Sequence, residues 1–142
     1  MLTLQIVIDT NVLVSALRSL GGASYRLLSL IDVGRFEINV SVPLVFEYEE
    51  VCKRRPGPVS LDAQIVDNIL DYICQMANRH RIYYLWRPFL IDPRDDMVLE
   101  VAVAGRCDVI VTHNLTVFRG ADQFGIRVLT PRDFLREIGE LP

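Results

Sequence analysis

Apolar and polar positions along this chain fall into short blocks, and each block follows one of two periods. Leu4–Ile8 is an apolar run, interrupted only by Gln5, that stops at Asp9, the pattern of a strand covered on both faces in a parallel sheet. From Asn11 to Leu17 the period becomes helical. Ser24–Val33 predicts a second helix, with Leu27, Leu28 and Ile31 on one face and Gly34 as its C-cap. Phe36–Val40 predicts a second strand. Ser41 then caps a third helix that has Pro43 in its first turn, carries Val45, Tyr48 and Cys52 inward and ends near Arg55-Pro56-Gly57, with a turn over residues 56–58.

Ser60–Ala77 is the longest helical pattern, with Leu61, Ile65, Ile69 and Ile73 on one stripe. Ile82–Leu85 predicts a short strand. Asp95–Ala104 predicts a helix with Val98, Leu99 and Ala102 inward, capped by Asp95 or Asp96 and ended by Gly105. Asp108–Thr112 and Ile126–Leu129 predict two more strands, and Thr130-Pro131-Arg132-Asp133 opens the last helix. Strand and helix alternate throughout. That alternation predicts a three-layer α/β/α domain with a mostly parallel sheet.

At 142 residues the chain is expected to form one domain over residues 1–142, with 51% apolar and 23% charged residues, near the globular average. The apolar runs are short and Met1 leads into a strand without a basic leader, so neither a signal peptide nor a membrane span is expected. The reading is cytoplasmic. Cys52, Cys74 and Cys107 are odd in number, widely spaced and set in apolar patterns, which argues against a disulfide framework or a Cys-x-x-Cys metal knuckle and for buried thiols. A net charge of -3 argues against coating nucleic acid by bulk attraction. Every basic residue except Lys53 is Arg, and the Arg fork suits phosphate recognition, with clusters at Lys53-Arg54-Arg55 and Arg79-His80-Arg81.

In open α/β sheets ligands bind beyond the carboxyl ends of the strands at a topological switch point. Asp9 falls there, and so does Asn114, just past the fourth predicted strand. Asp95 and Asp96 open a helix at the same edge, and Glu47 lies one turn into the third helix. Carboxylates drawn to one crevice repel by about 1 kcal/mol or more per close pair, so a cation belongs between them. With two His and no Cys pair, oxygen ligands point to Mg²⁺ or Mn²⁺ rather than zinc. Such ions activate a water and neutralise charge on a phosphate. Each residue also has a plain structural reading: Asp9 can simply cap the following helix, Glu47 can be helix surface, and Asn114 can be a turn residue.

Four blocks resemble the PIN-domain ribonucleases: Val-Ile-Asp-Thr-Asn-Val-Leu-Val-Ser-Ala at 7–16, Val-Phe-Glu-Tyr-Glu-Glu-Val at 45–51, Asp-Pro-Arg-Asp-Asp-Met-Val-Leu-Glu-Val-Ala at 92–102 and Asp-Val-Ile-Val-Thr-His-Asn-Leu at 108–115. The likeness runs from residue 4 to about 138 and is strongest to the bacterial and archaeal branch of toxin components related to the VapC toxins. It implies a sheet of order 3-2-1-4-5, a Mg²⁺ or Mn²⁺ site and endonucleolytic cleavage of RNA. Carried over, the acids are Asp9, Glu47 and Asp95, with Asp96 able to substitute or assist. Thr10, Asn11 and Thr112 match polar positions lining that site. Asn114 stands where the family commonly has a fourth acid, and Val117 where a further Asp often precedes the next Phe, so both departures remove negative charge.

The expectation is therefore a metal-dependent endoribonuclease, with an antitoxin as partner and a homodimer as assembly. Arg54, Arg55, Arg79, Arg81 and Arg94 are candidates for guiding the RNA backbone, and Tyr84 or Trp86 for stacking a base. The competing expectation is a catalytically weak PIN domain that binds RNA or protein. Aspartyl phosphotransfer is excluded, because Asn11 stands where a haloacid-dehalogenase-like enzyme needs Asp and no late Lys is present.

Overall fold

The computed structural model describes residues 3–54, 63–82, 90 and 92–141. Strand β1 (Leu4–Ile8) leads into α1 (Thr10–Arg18) and α2 (Ala23–Ser29), and β2 (Phe36–Ser41) into α3 (Val42–Arg54) and α4 (Ala63–Met76). Strand β3 (Asn78–His80) is followed by α5 (Pro93–Ala104), and β4 (Val109–Val111), two 3₁₀ turns and β5 (Arg127–Leu129) by α6 (Pro131–Glu137). The strands form one sheet in the order β3-β2-β1-β4-β5, and every neighbouring pair is parallel. This is the three-layer α/β arrangement and strand order expected above.

The apolar run of β1 puts it in the middle of the sheet. Ile6, Val7 and Ile8 are buried on both faces, as are Ile38 and Val40 beside them and Val109, Ile110 and Val111 on the other side. Removing each such side chain from water contributes roughly 1.5–3 kcal/mol. The capping signals also hold: Ser41 Oγ accepts from the Leu44 N–H (3.3 Å), and Thr130 Oγ1 from the Asp133 N–H (3.1 Å).

Four expectations are corrected. The second helix ends at Ser29 rather than Val33; the chain continues in tight turns, and Gly34 (φ 90°) turns it toward β2 instead of capping a helix. On α4 the buried residues are Val66, Leu70 and Ile73, while Ile65 is 46% exposed. This helix carries two apolar stripes one residue apart, and packing against α3 and β2 selects one of them. Leu61 lies outside the described residues. The fifth helix begins at Pro93 and its cap is Asp92, whose Oδ1 accepts from the Arg94 N–H (2.9 Å), so neither Asp95 nor Asp96 is the cap.

The third strand of the sheet is Asn78–His80, which the sequence pattern did not mark; of the expected strand Ile82–Leu85, Ile82 lies in no strand and residues 83–85 lie outside the described residues. A side-chain ladder explains how so polar a segment joins the sheet. Asn78 Nδ2 donates to Gln5 Oε1 (3.0 Å) and Glu37 Oε1 (2.8 Å), and buried Asn39 donates to Gln5 Oε1 (3.0 Å) and the Ile6 carbonyl (3.1 Å). His80 Nε2 closes the ladder on Asn39 Oδ1 (2.7 Å).

Gly105, after α5, presses on that ladder. A Cβ there would lie 2.9 Å from His80 Nε2 and 3.0 Å from Asn39 Oδ1. Gly105→Ala is expected to destabilise the protein by about 1 kcal/mol, the cost of mild overpacking, as read by urea denaturation. An unchanged midpoint would show that His80 swings away freely.

Among the described residues no helix is long and apolar enough to cross a membrane. All three cysteines are free, and burial pushes the Cys52 thiol up to about 11 and Cys107 up to about 12, so neither offers a thiolate near neutral pH.

Candidate metal centre

The chain runs outward from β1 through β2 to β3, then crosses to β4 and β5, which makes the gap between β1 and β4 the switch point of the sheet. Both strands are parallel, so their carboxyl ends deliver Asp9 and Thr112 to one place. Asp9 is 7% exposed, and each of its carboxylate oxygens is held. Oδ1 accepts from the Thr10 N–H (2.8 Å), capping α1, and Oδ2 accepts from Thr112 Oγ1 (2.8 Å). Asp9 is thus a helix cap and a member of the crevice at once.

Thr112, fully buried, is the hub of a small polar network. Its Oγ1 donates to Asp9 and accepts from the Asn114 backbone N–H (3.0 Å) and Asn11 Nδ2 (3.4 Å), while Asn11 Oδ1 accepts from the His113 N–H (3.3 Å). The β4–β5 loop is therefore tied to the start of α1 beside the crevice, which Asn11 lines and buried Thr112 does not.

Asp9, Glu47 and Asp95, from β1, α3 and α5, line one cavity of about 460 Å³ together with Thr10, Asn11, Asp92, Arg94 and Arg18. All three carboxyls hold their protons more tightly than usual. Burial raises Asp9 most, against the lowering effects of the Thr112 and Thr10 hydrogen bonds and the nearby His113. Burial also leads for Glu47, with Arg94 opposing it and the Glu50 and Asp9 charges adding to it. Asp95 is pushed up to about 6 by burial and then by the Asp9 and Asp92 charges, with Arg94 opposing.

Asn114 lines an adjoining lobe of about 360 Å³ with Asp9, Asp92, Asp95 and Val117, and its Oδ1 accepts from Thr116 Oγ1 (3.2 Å). Asp96 lies elsewhere. It is fully buried and lines neither lobe; Oδ1 accepts from the Leu90 N–H (3.0 Å), and Oδ2 has no hydrogen-bond partner among the described residues. Its part is to anchor the approach to α5, and its charge adds to the upward push on Asp95.

Of the candidate arginines, Arg94 lines the acidic cavity and pairs with Asp92 (3.6 Å), and Arg54 pairs with Glu50 one turn back on α3. Arg79 and Arg81 line a separate cavity beside Val42 and Phe46. Arg55, Tyr84 and Trp86 lie outside the described residues. Two charged cavity residues escaped the sequence reading. Asp92, which lines both lobes, was read only as part of a helix start, and Arg18 stood at the far end of a helix with nothing to mark it.

Among the described residues no three His, Cys, Asp or Glu side chains form a ready-made metal cage. The donor set still suits a hard divalent ion. Its members are carboxylate and amide oxygens, their anionic forms are penalised until a positive charge arrives, and the cavity has room for the waters that Mg²⁺ keeps when one or two carboxylates hold it.

An α/β domain with an acid at the end of its central strand and further acids converging from two helices belongs to a class built to present carboxylates at a switch point. Within that class the chain belongs to the PIN domain family, whose model matches residues 5–116, from β1 to the first 3₁₀ turn. Its fold is shared with a chain in the crystal structure of VapBC2 from Rickettsia felis bound to a DNA fragment from their promoter, at 14% identity and a TM-score of 0.62, over 88% of this chain and 98% of that one. No curated protein matches the sequence.

Proposed function

We propose that this protein is a divalent-metal-dependent endoribonuclease that hydrolyses RNA phosphodiester bonds as the toxin of a toxin-antitoxin pair. One observation carries the reading: Asp9, Glu47 and Asp95 arrive from three separate elements at one cavity, each with its carboxyl pushed up. Membership of the PIN domain family and the fold shared with the VapBC2 structure support it.

Asp9, Glu47 and Asp95 would hold Mg²⁺ or Mn²⁺, with Asn114 and Asp92 at the edge. When bound, the ion supplies activation of an attacking water and neutralises charge on the phosphate and the leaving 3′ oxygen. The chain's own residues do the positioning. Thr112 and the Thr10 N–H fix both oxygens of Asp9, so its carboxylate would be in place for the ion without searching rotamers. Arg94, exposed at the rim beside Asp92, offers its guanidinium to the entering phosphate. The products would carry 5′-phosphate and 3′-hydroxyl ends.

The partner would be an antitoxin that covers the acidic cavity with an Arg or Lys among the carboxylates, and the toxin itself would be a homodimer. Incubation of purified protein with RNA and Mn²⁺, with and without the product of the adjacent reading frame, tests both parts. Cleavage that the second protein suppresses is the expected result, and RNA left intact with Mn²⁺ contradicts the enzyme.

A second reading, a catalytically weak domain that binds RNA or protein, draws on the smaller lobe, where Asn114 and Val117 add no charge to Asp9, Asp92 and Asp95. Metal-dependent cleavage by the purified protein excludes it.

The raised carboxyl of Asp95 sets a pH dependence. A metal ion must displace that proton, so affinity is expected to rise with pH through about 6 and to level off above it. At pH 5, calorimetric titration with Mn²⁺ should show binding weaker by about tenfold than at pH 7.5. The metal-free protein has the opposite trend. Asp95 binds its proton more tightly folded than unfolded, so its contribution to stability is present at low pH and is lost as pH rises from 3.8 through about 6. Equal affinity at pH 5 and 7.5 would show that Asp95 is not a ligand.

A further inference from the structure

The acid-lined cavity extends well past the acids. It follows α1 from Asp9 to Ser15, Arg18 and Ser19, with Val14 and Val51 as apolar walls. At the rise of an α-helix, Arg18 stands about 13 Å along the axis from Asp9. The cavity is therefore polarised along its length, negative at the sheet edge and positive at the carboxyl end of α1.

Two arginines line it, and they differ. Arg94 is paired with Asp92, whereas Arg18 is exposed and has no ion-pair or hydrogen-bond partner among the described residues. The carboxyl end of a helix carries partial negative charge, so α1 itself repels an anion there. Any attraction for one must come from the guanidinium, with Ser15 and Ser19 near it as hydroxyl donors.

A single RNA strand matches this layout: a phosphate at the acids with its cation, apolar surface for a base, and a second phosphate further along the same backbone. We propose that Arg18 forms a phosphate subsite for a nucleotide flanking the scissile bond, with the intervening base against Val14 and Val51. This deepens the ribonuclease reading and rests on it. The subsite makes the enzyme favour extended, unpaired strands over small phosphodiesters, because only a strand reaches both ends of the cavity.

The test compares kcat/KM for a single-stranded RNA oligonucleotide and for bis(p-nitrophenyl) phosphate, both with Mn²⁺, in the wild type, Arg18→Ala and Arg18→Lys. The ratio of the two values is expected to fall about tenfold in Arg18→Ala, through KM, and to recover in part in Arg18→Lys, which keeps the charge without the fork. The salt dependence of kcat/KM on the oligonucleotide should flatten by about 0.7 in log–log slope, the loss of one phosphate contact. A wild-type ratio in Arg18→Ala, or a lower ratio with unchanged salt slope, overturns the subsite. If the wild type cleaves neither substrate, the ribonuclease reading fails by itself, and fluorescence anisotropy with the same RNA decides the subsite. Weaker binding with a flatter salt slope in Arg18→Ala keeps it, and equal binding removes it.

Discussion

Asp9→Asn is expected to reduce RNA cleavage on the order of a thousandfold, well beyond the roughly 10- to 100-fold cost of losing an outer support to a metal ligand. Stability without metal should hardly change, because two effects oppose each other. Asparagine caps a helix about as well as aspartate, so the bond from the Thr10 N–H survives, and a carboxyl penalised by burial is removed. Against that, the new amide N–H₂ meets Thr112 Oγ1, which already accepts from the Asn114 N–H and Asn11 Nδ2. With pH, the wild type loses the contribution of the raised Asp9 carboxyl as pH rises above 3.8 through the raised value, and the variant lacks that part of the loss while keeping the parts from Asp95 and Glu47. Thermal melts in EDTA and in Mn²⁺, beside a cleavage assay, check all three parts. The wild type should gain stability with Mn²⁺ and the variant much less. Cleavage at the wild-type rate by Asp9→Asn would reduce Asp9 to its cap and sink the mechanism.

Thr112→Val should cost about 2 kcal/mol of stability and about 10- to 100-fold in cleavage. The shape is kept, but Asp9 Oδ2 loses its donor, and the Asn114 N–H loses its acceptor, at a fully buried position. Since the Thr112 bond is the largest influence holding the Asp9 carboxyl down, its loss moves that carboxyl further up. Metal binding by the variant should then need a higher pH than in the wild type. Thr112→Ser keeps the hydroxyl and should keep most of both properties. Urea denaturation and Mn²⁺ titration at several pH values measure these effects. A Thr112→Val protein with wild-type metal affinity across the pH range would show that Asp9 needs no such support.

On the proposed reading, Arg18 would serve binding and the acids the chemistry. Arg94, tied to Asp92, lines the same cavity, and its charge opposes the upward push on Asp95 and Glu47.

What the sequence by itself determined is the centre of the molecule. Ile6–Ile8 and Val109–Val111 are apolar without a break because each strand is covered on both faces, and a carboxylate or threonine at the end of such a run emerges at the sheet edge. The inward face of α5, with Val98, Leu99 and Ala102, and the caps at Ser41 and Thr130 were legible for the same reason, since the cause of each lies within a few residues of the chain. The tertiary structure decided the rest. Strand β3 is a polar edge that exists because Asn78 and His80 find Gln5, Glu37 and Asn39 across the sheet, and α4 buries one of two equivalent stripes because α3 lies against that side. Among three neighbouring acids, only the course of the chain into α5 turns Asp92 and Asp95 to the cavity and Asp96 inward to the Leu90 N–H. Periodicity reports whether a residue is covered; which partner covers it depends on contacts between segments far apart in the chain, and no local pattern encodes those.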